Sequence, residues 1–546
     1  MIKKNALAAV LGLLGLFLCL LLVSSAALAV GVVDTLHNLS ASGTGPISTA
    51  SEERVCIFCH TPHHANVTGD YMPLWSRALS TADYTLYSST TVQAAPDQPT
   101  GASRLCLSCH DGTIAVGLLT GDYRPGGNSL GALPVGDTNL ETDLSNDHPI
   151  SFVYEDSQAD DGQMVHPDSL TGAVQLSPGN RMECTACHDS HQDLFGKFLL
   201  MDNGDSALCE VCHIPTGWAD GTHNRNDIDV SCESCHTAHG AGHAASLLRS
   251  TLPDEEDACL ISCHNAASSG PEADVETAFS RTSTHPLDFT DGIHDPTETP
   301  LTMAEHVECA DCHNSHQLDG AIASAPNVSG RLSAVSGVDA SGVEIESASY
   351  EYEICYKCHS SNPFVDATHI TRQFNELDES IRFDAGNPSY HPVTALGKNT
   401  TMVTLTNGYT TGSRIYCTDC HNSSSGATGP HGSIYEPILV GQYLTSYPQS
   451  YAQSNYDLCW RCHDPAVLMP APPADNIHTR HVQGLGAHAG KETPCASCHD
   501  PHGVPDVSGT YLINFDSTAA GPTMVHDQLN RTCSVDCHSS ATARSY

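Results

Sequence analysis

Cys184-Thr-Ala-Cys-His-Asp-Ser-His191 is the stretch on which the fold turns. Two cysteines stand three residues apart. A histidine follows the second at once, and another comes three residues later. Cys209-Glu-Val-Cys-His213 and Cys232-Glu-Ser-Cys-His-Thr-Ala-His239 come next and repeat the pattern. Working outward, C-x-x-C-H recurs at Cys56/Cys59/His60, Cys106/Cys109/His110, Cys184/Cys187/His188, Cys209/Cys212/His213 and Cys232/Cys235/His236. It continues at Cys309/Cys312/His313, Cys355/Cys358/His359, Cys417/Cys420/His421, Cys459/Cys462/His463 and Cys495/Cys498/His499. Cys259/Cys263/His264 and Cys533/Cys537/His538 carry one extra residue. Of 25 cysteines, only Cys19 lies outside these pairs.

The spacing has a chemical reason. Two thiols so placed reach the two vinyl groups on one edge of a porphyrin, and the next residue swings an imidazole beneath the iron. Neither a zinc site nor a disulfide scaffold requires histidine directly after the second cysteine. The expected cofactor is therefore haem c, twelve per chain, with the paired cysteines as thioethers and the twelve motif histidines as proximal ligands. At the two longer motifs the extra residue must bulge for both thioethers to form.

The sixth position on each iron separates electron transfer from catalysis. The chain has 33 histidines and only nine methionines, so bis-histidine ligation is expected. Five motifs continue as C-H-x-x-H and offer His63, His191, His239, His316 and His502, each too close to its own haem but able to reach a neighbour's. His148, His285 and His391 precede proline, which holds a ligand loop extended. His431 sits in GPHGS, where glycine permits close approach. His223, His37 and one of His478 and His481 complete the candidates. His369, His306, His294, His243 and His526 are reserves.

The first residues read as an export signal: Lys3 and Lys4, the apolar run Ala6 to Val23, then Ala27-Leu28-Ala29. The expected signal peptide is 1–29. An uncleaved anchor, or a lipid on Cys19, is a weaker alternative. No later stretch is apolar enough to span a bilayer. With 22 basic against 63 acidic residues the formal charge is −41, and loss of the signal removes two lysines and no acid. Such a chain repels nucleic acid. It attracts basic redox proteins, divalent cations and positively charged mineral surfaces. The expected location is the periplasm, the outer cell surface or the medium.

Aromatics are 6% of residues, with 43 glycines and 31 prolines, so the chain has little apolar surface of its own to bury. The expected fold is mostly coil, with short helices and a few β-hairpins packed around a chain of stacked haems. Hairpins are expected over 335–346 and around Asn407-Gly408, and a short helix over Ala244 to Arg249. Motif density divides the mature chain into 30–160 with motifs one and two, 161–300 with a dense cluster of motifs three to six, 301–440 with seven to nine, and 441–546 with ten to twelve. The acidic runs at 224–229 and 254–257 match no calcium loop.

Repeated C-x-x-C-H, its extensions CHTPHHA, CHDSHQ, CHTAHG, CHNSHQ and CHDPHG, and the inter-motif GPHGS and YHPV resemble the large multihaem cytochromes of metal-reducing bacteria. The resemblance covers nearly the whole mature chain. It implies bis-His haems stacked in alternating parallel and T-shaped pairs, and electron transfer in extracellular respiration. It implies redox-protein partners and acceptors such as metal oxides. Some members polymerise into filaments, a histidine of one subunit ligating a haem of the next; His37, near the mature N-terminus, is the expected donor. The runner-up function is a multihaem reductase with one open catalytic haem, although no C-x-x-C-K site occurs.

Overall fold

A computed structural model of the chain describes residues 31–68, 72–125, 130–155, 158, 162–225, 230–249, 255–261, 263–268, 274–287, 295, 298–361, 370–471, 476–506, 509–521, 525–527, 532–534 and 544–545. The expected signal peptide, Cys537, His538, His294, His369, the side chains of Cys533 and His526, residues 226–229 and Asp254 lie outside the described residues.

Regular structure is sparse. Helices α1 (Gly101–His110) and α2 (Glu351–His359) each end on an attachment motif. Helices α3 (Glu379–Arg382) and α4 (Ile477–Val482) lie between motifs. Each is fixed by a local cap: the side chain of Asp378 accepts from Ser380 and Ile381, and that of Asn476 from Thr479.

Strands are two or three residues long and pair antiparallel: β1 (Phe152–Val153) with β2 (Arg181–Met182), β3 (Ser283–Thr284) with β7 (Gly432–Ser433), β4 (Gly337–Val338) with β5 (Glu344–Ile345), and β6 (Ser389–Tyr390) with β8 (Gly503–Val504). A small sheet of β9 (Val525–Asp527), β10 (Thr532–Ser534) and β11 (Arg544–Ser545) closes the chain.

The hairpin expected over 335–346 forms as β4–β5, turning where Gly342 takes a φ of 77°. The second hairpin does not form as expected. Asn407 and Gly408 make the turn, with φ of 54° and 88°, but the arm at Leu405 pairs with His463 instead of with the chain beyond the turn. The helix expected over 244–249 is broken because Ser246 and Leu247 adopt φ of 58° and 52°. That conformation aims the Ser246 carbonyl at Nδ1 of His236, 2.7 Å away.

The chain divides into two compact units, 1–87 with 93–214, and 88–92 with 215–546. Motifs one to four belong to the first and five to twelve to the second; the division falls inside the densely spaced run. In each unit the apolar core is fragmented. The largest cluster of buried side chains, in the second unit, is Val338, Tyr352, Tyr356, Phe383, Tyr390 and Val393. Those of the first hold three each, Phe58 with Val116 and Leu130, and Tyr84 with Leu107 and Leu144. Cores this small leave the chain short of apolar burial for its length.

Buried guanidinium groups replace missing backbone ladders. Arg77, fully buried, donates to the carbonyls of Val116, Ser108 and Ala115. Arg372 donates to those of Ala496 and Asn514.

Two of the miniature sheets are copies of one design. β3 pairs Thr284 with Gly432, and β6 pairs Tyr390 with Gly503. The residue after each first strand is a His-Pro histidine, and the residue before each glycine is a second histidine. A side chain at either glycine would overlap a backbone carbonyl, that of Ala278 against Gly432 and of Arg382 against Gly503. Gly503→Ala is expected to lower stability by about 1–3 kcal/mol through this overlap, seen as a lower urea midpoint of the holoprotein, whereas Gly397→Ala, in open space, leaves it unchanged.

Candidate functional site: a series of opposed imidazoles

Each attachment motif is a single tight turn. The backbone N–H of the motif histidine donates to the carbonyl of the first cysteine: 2.8 Å at His60, 3.0 Å at His188 and 2.9 Å at His499, for example. This closure puts both thiols and the imidazole on one side. At the longer motif His264 donates to Cys259 over 3.0 Å. The extra residue is taken up as a wider i→i−5 turn of the π type, which keeps the same closing bond.

The 22 described cysteines form no disulfide among themselves. Four of them do more than the sequence reading assigns. Cys498, expected only as a thioether anchor, also packs with Ile513 against the buried side chains of Phe515 and Ala520. Cys312 packs in the same way against Val335, Ala348 and Ile354, Cys417 against the largest cluster, and Cys495 against the cluster of Tyr456, Met469 and Val482. Cys498 thus has a place in the apolar packing beside its expected role as a thioether anchor. The physical reason is that cysteine is a small, polarizable side chain that behaves as a hydrophobe when half-buried.

Among the described residues, ten motif histidines face a second imidazole across a gap. In the first unit His60 faces His191 at 6.1 Å between ring centroids, His110 faces His37 at 6.2 Å, and His213 faces His148 at 6.2 Å. In the second unit the pairs are His236 with His316 (6.1 Å), His264 with His223 (6.3 Å), His313 with His431 (6.2 Å) and His359 with His285 (6.4 Å). They continue with His421 and His502 (5.9 Å), His463 and His391 (6.3 Å), and His499 and His478 (6.2 Å).

Rings in van der Waals contact sit closer: His481 and His488 are 4.3 Å apart, and His37 lies 4.1 Å from Phe198. The wider gap has a direct meaning. A metal–imidazole bond of about 2 Å on each side, plus about 1 Å from each bonding nitrogen to its ring centre, separates two axial imidazoles by about 6 Å. The donor set therefore fits a six-coordinate haem iron at ten positions.

Second interactions fix which nitrogen faces the gap. Nδ1 of His60 meets the Pro73 carbonyl (2.6 Å), His110 that of Thr138 (2.6 Å), His188 that of Lys197 (2.9 Å), His421 that of Pro437 (3.0 Å) and His499 that of Tyr511 (2.9 Å). A donated Nδ1–H leaves Nε2 bare for a metal. The return loops that bring these carbonyls hold residues in the left-handed region, Leu74, Lys197, Ser246, Ile438 and Tyr511 among them. Burial, with repulsion from neighbouring imidazoles, pushes His421, His431, His463 and His499 down to about 4, so they stand neutral at pH 7 as metal ligands must.

The facing histidines also hold one another. His37 reaches the carbonyl of Ser190, just before His191 (3.0 Å); His223 that of Ser315, before His316 (3.0 Å); and His285 that of Pro430, before His431 (2.8 Å). His391 does the same to Pro501, before His502. Motifs one and two, five and six, seven and eight, and nine and ten are thereby tied in pairs.

Of the candidates read from sequence, His37, His148, His191, His223, His285, His316, His391, His431, His478 and His502 stand opposite a motif histidine. His481 does not: its ring packs on His488, too close for a metal between them. His63 is exposed, and among the described residues no motif histidine faces it. His239 is exposed in the same kind of turn. The reserve His306 instead binds Glu298 (3.1 Å). His37, expected also as the donor to a neighbouring subunit, stands opposite His110 in its own chain. Three of the C-H-x-x-H histidines, His191, His316 and His502, reach a motif two places back, because the adjacent motif takes its partner from a loop. Sequence reading missed the return loops. Their signal is an apolar pair after several of the accepting carbonyls, as in Pro73-Leu-Trp75, Pro437-Ile-Leu439 and Tyr511-Leu-Ile513.

Within each unit, thiols of several consecutive motifs lie near enough to raise or lower one another's pKa. In the first unit Cys59 adjoins Cys109, Cys106 adjoins Cys184, and Cys187 adjoins Cys212. In the second unit Cys235 adjoins both Cys259 and Cys263, Cys259 adjoins Cys309, and Cys312 adjoins Cys358. Cys355 then adjoins Cys417, Cys420 adjoins Cys462, and Cys459 adjoins Cys495. Second cysteines meet within the tied pairs, and first cysteines meet between them.

Residues 177–217, which hold motifs three and four, match the family described as the doubled CXXCH motif. The doubled motif points to a multihaem c-type cytochrome. Covalently bound haem c follows from it. A comparison with curated proteins returns no match. No described helix of the cytochrome is long and apolar enough to cross a membrane. Removing one facing imidazole should open one iron: His316→Ala is expected to add a high-spin ferric signal to the low-temperature EPR spectrum at about one haem per chain, with the other signals unchanged.

Proposed function

We propose that this cytochrome is an electron conduit of about twelve covalently held haems, ten of them closed by the histidine pairs above. The ten gaps between imidazoles, each one metal atom wide, carry this reading. Bound haem c supplies one-electron ferric/ferrous chemistry. The protein's part is positional. Its thiols would anchor each group, its paired imidazoles would hold the iron at ten sites and leave no position there for a substrate, and its motif order would set the sequence of sites. Thiol adjacency in chain order supports an unbranched path, and its alternation supports two stacking modes taken in turn. The surplus of 63 acidic over 22 basic residues supports basic redox proteins and oxide surfaces as partners, and the leader-like start supports export to the periplasm or beyond, for extracellular respiration.

The test is made on the haem-loaded protein. Pyridine haemochrome and intact mass are expected to give twelve haems per chain, including one on the Cys259/Cys263 peptide. Carbon monoxide is expected to leave the spectrum of the reduced protein nearly unchanged. Extensive binding of carbon monoxide, with turnover of nitrite or hydroxylamine well above that of free haem, would overturn the conduit.

Self-association is the second part of the proposal, and His63 is the imidazole assigned to it. It occupies the same turn as the facing histidines: the side chain after the motif histidine accepts from the backbone N–H of the third residue, Thr61 for His63, Asp189 for His191, Asn314 for His316 and Asp500 for His502. Each of the other three faces a motif two places back, and none precedes motif one. Negative-stain images are expected to show end-to-end assemblies that His63→Ala abolishes. Monodisperse particles in both proteins would remove this part and leave the conduit standing.

A further inference from the structure

The two copies of the His-Pro/His-Gly sheet differ in the half-buried residue four positions before the phenylalanine that packs on the facing histidine. In the first copy Phe279 stands 5.6 Å from His431, and the Ala278 carbonyl lies over Gly432. In the second Phe383 stands 5.4 Å from His502, and the Arg382 carbonyl lies over Gly503. Aligned on these contacts, Val275 falls where Glu379 falls.

Glu379, the first residue of α3, brings Oε1 to 3.0 Å from Nδ1 of His502. The same oxygen accepts from Arg382 at 2.6 Å, and the far side of that guanidinium binds Asp500. Two carboxylates thus share one guanidinium, and a net negative charge is left against the imidazole. The Glu379 side chain is 17% exposed, so water screens it little.

The Glu379 carboxylate meets Nδ1 of His502 at ion-pair distance without the alignment of a hydrogen bond. Among the described Nδ1 hydrogen bonds of the paired imidazoles, those of His37, His60, His110, His148, His223, His236, His285, His313, His391, His421 and His499 end on backbone carbonyls, and that of His463 on the Thr404 hydroxyl. Asp189 stands 3.5 Å from Nδ1 of His191, but that imidazole is 63% exposed and the pair is solvated.

Nδ1–H is the outward end of an iron-bound imidazole. A carboxylate there makes the ring a stronger donor and favours ferric over ferrous iron, whereas a carbonyl does so less. We propose that Glu379 makes the iron held between His421 and His502 more reducing than its valine-flanked counterpart between His313 and His431. The proposal rests on reading the opposed imidazoles as iron ligands. Glu379 is a positioning and tuning residue: it acts through His502 and touches no reacting atom.

The test is a spectroelectrochemical titration of the haem-loaded protein, with low-temperature EPR of the oxidised form. Glu379→Val copies the other sheet, and Glu379→Gln keeps shape without charge. In both, one component, about one haem per chain, is expected to become easier to reduce by roughly tenfold to a hundredfold in its reduction equilibrium, the scale of second-shell effects. One low-spin EPR signal should shift with it. Glu379→Asp is expected to keep most of the wild-type behaviour, and His502→Met to move the same component to higher potential. Fully loaded Val and Gln variants with an unchanged titration would overturn the role of Glu379. High-spin iron at most sites of the unaltered protein would instead overturn the ligand reading itself.

Discussion

A donated Nδ1–H, from an imidazole to a backbone carbonyl, is the interaction on which the rest of this structure depends. It fixes the tautomer, aims Nε2 into the gap and anchors an otherwise irregular loop. His60 to Pro73, His236 to Ser246 and His421 to Pro437 show it on the motif side, and His37 to Ser190 and His285 to Pro430 on the facing side. A chain without long helices or sheets needs some other way to orient its ligands. Here the loops are shaped by the ligands themselves, and the left-handed residues at 74, 197, 246, 438 and 511 follow from where the carbonyl has to point.

The same bond links neighbouring sites. A facing histidine leans on the backbone beside the next one, so two gaps share one scaffold. Second-cysteine contacts fall within such a pair, as between Cys420 and Cys462, and first-cysteine contacts fall between pairs, as between Cys355 and Cys417. The structural repeat is therefore two motifs long. Its residue period varies because the loops between ligands are free to differ, provided each returns its histidine to the right carbonyl.

Much of the site is legible because covalent attachment writes itself into local sequence. Cys-x-x-Cys-His is one turn of chain and needs no tertiary information. The second task of Cys498 is not in that turn: it depends on Phe515 and Ala520 returning to cover the thiol. The His-Pro and His-Gly contexts are informative for the same local reason, since proline extends His285 and His391 while glycine admits Ala278 and Arg382 against His431 and His502. Pairing is not legible. His191 closes over His60 across 131 residues of sequence, and nothing local specifies that. The turn at Asn407-Gly408 is legible and its strands are not, because Leu405 has a better partner in the backbone of His463. Glu379 gives no signal at all: a glutamate opening a short helix is ordinary, and its meaning comes from the histidine packed above it.

The reach of these pairs orders events during synthesis and export. His60 and His188 emerge long before much of the chain that packs around them, and the partner of His60 follows only at 191. Early sites must wait with one face uncovered, and each later segment closes the site behind it. Even-numbered sites are the reverse, since His37, His148 and His223 precede His110, His213 and His264. Motif eleven departs from this order, since His478 precedes His499, so a chain cut just before His502 would lose the partner of His421 and keep those of His463 and His499.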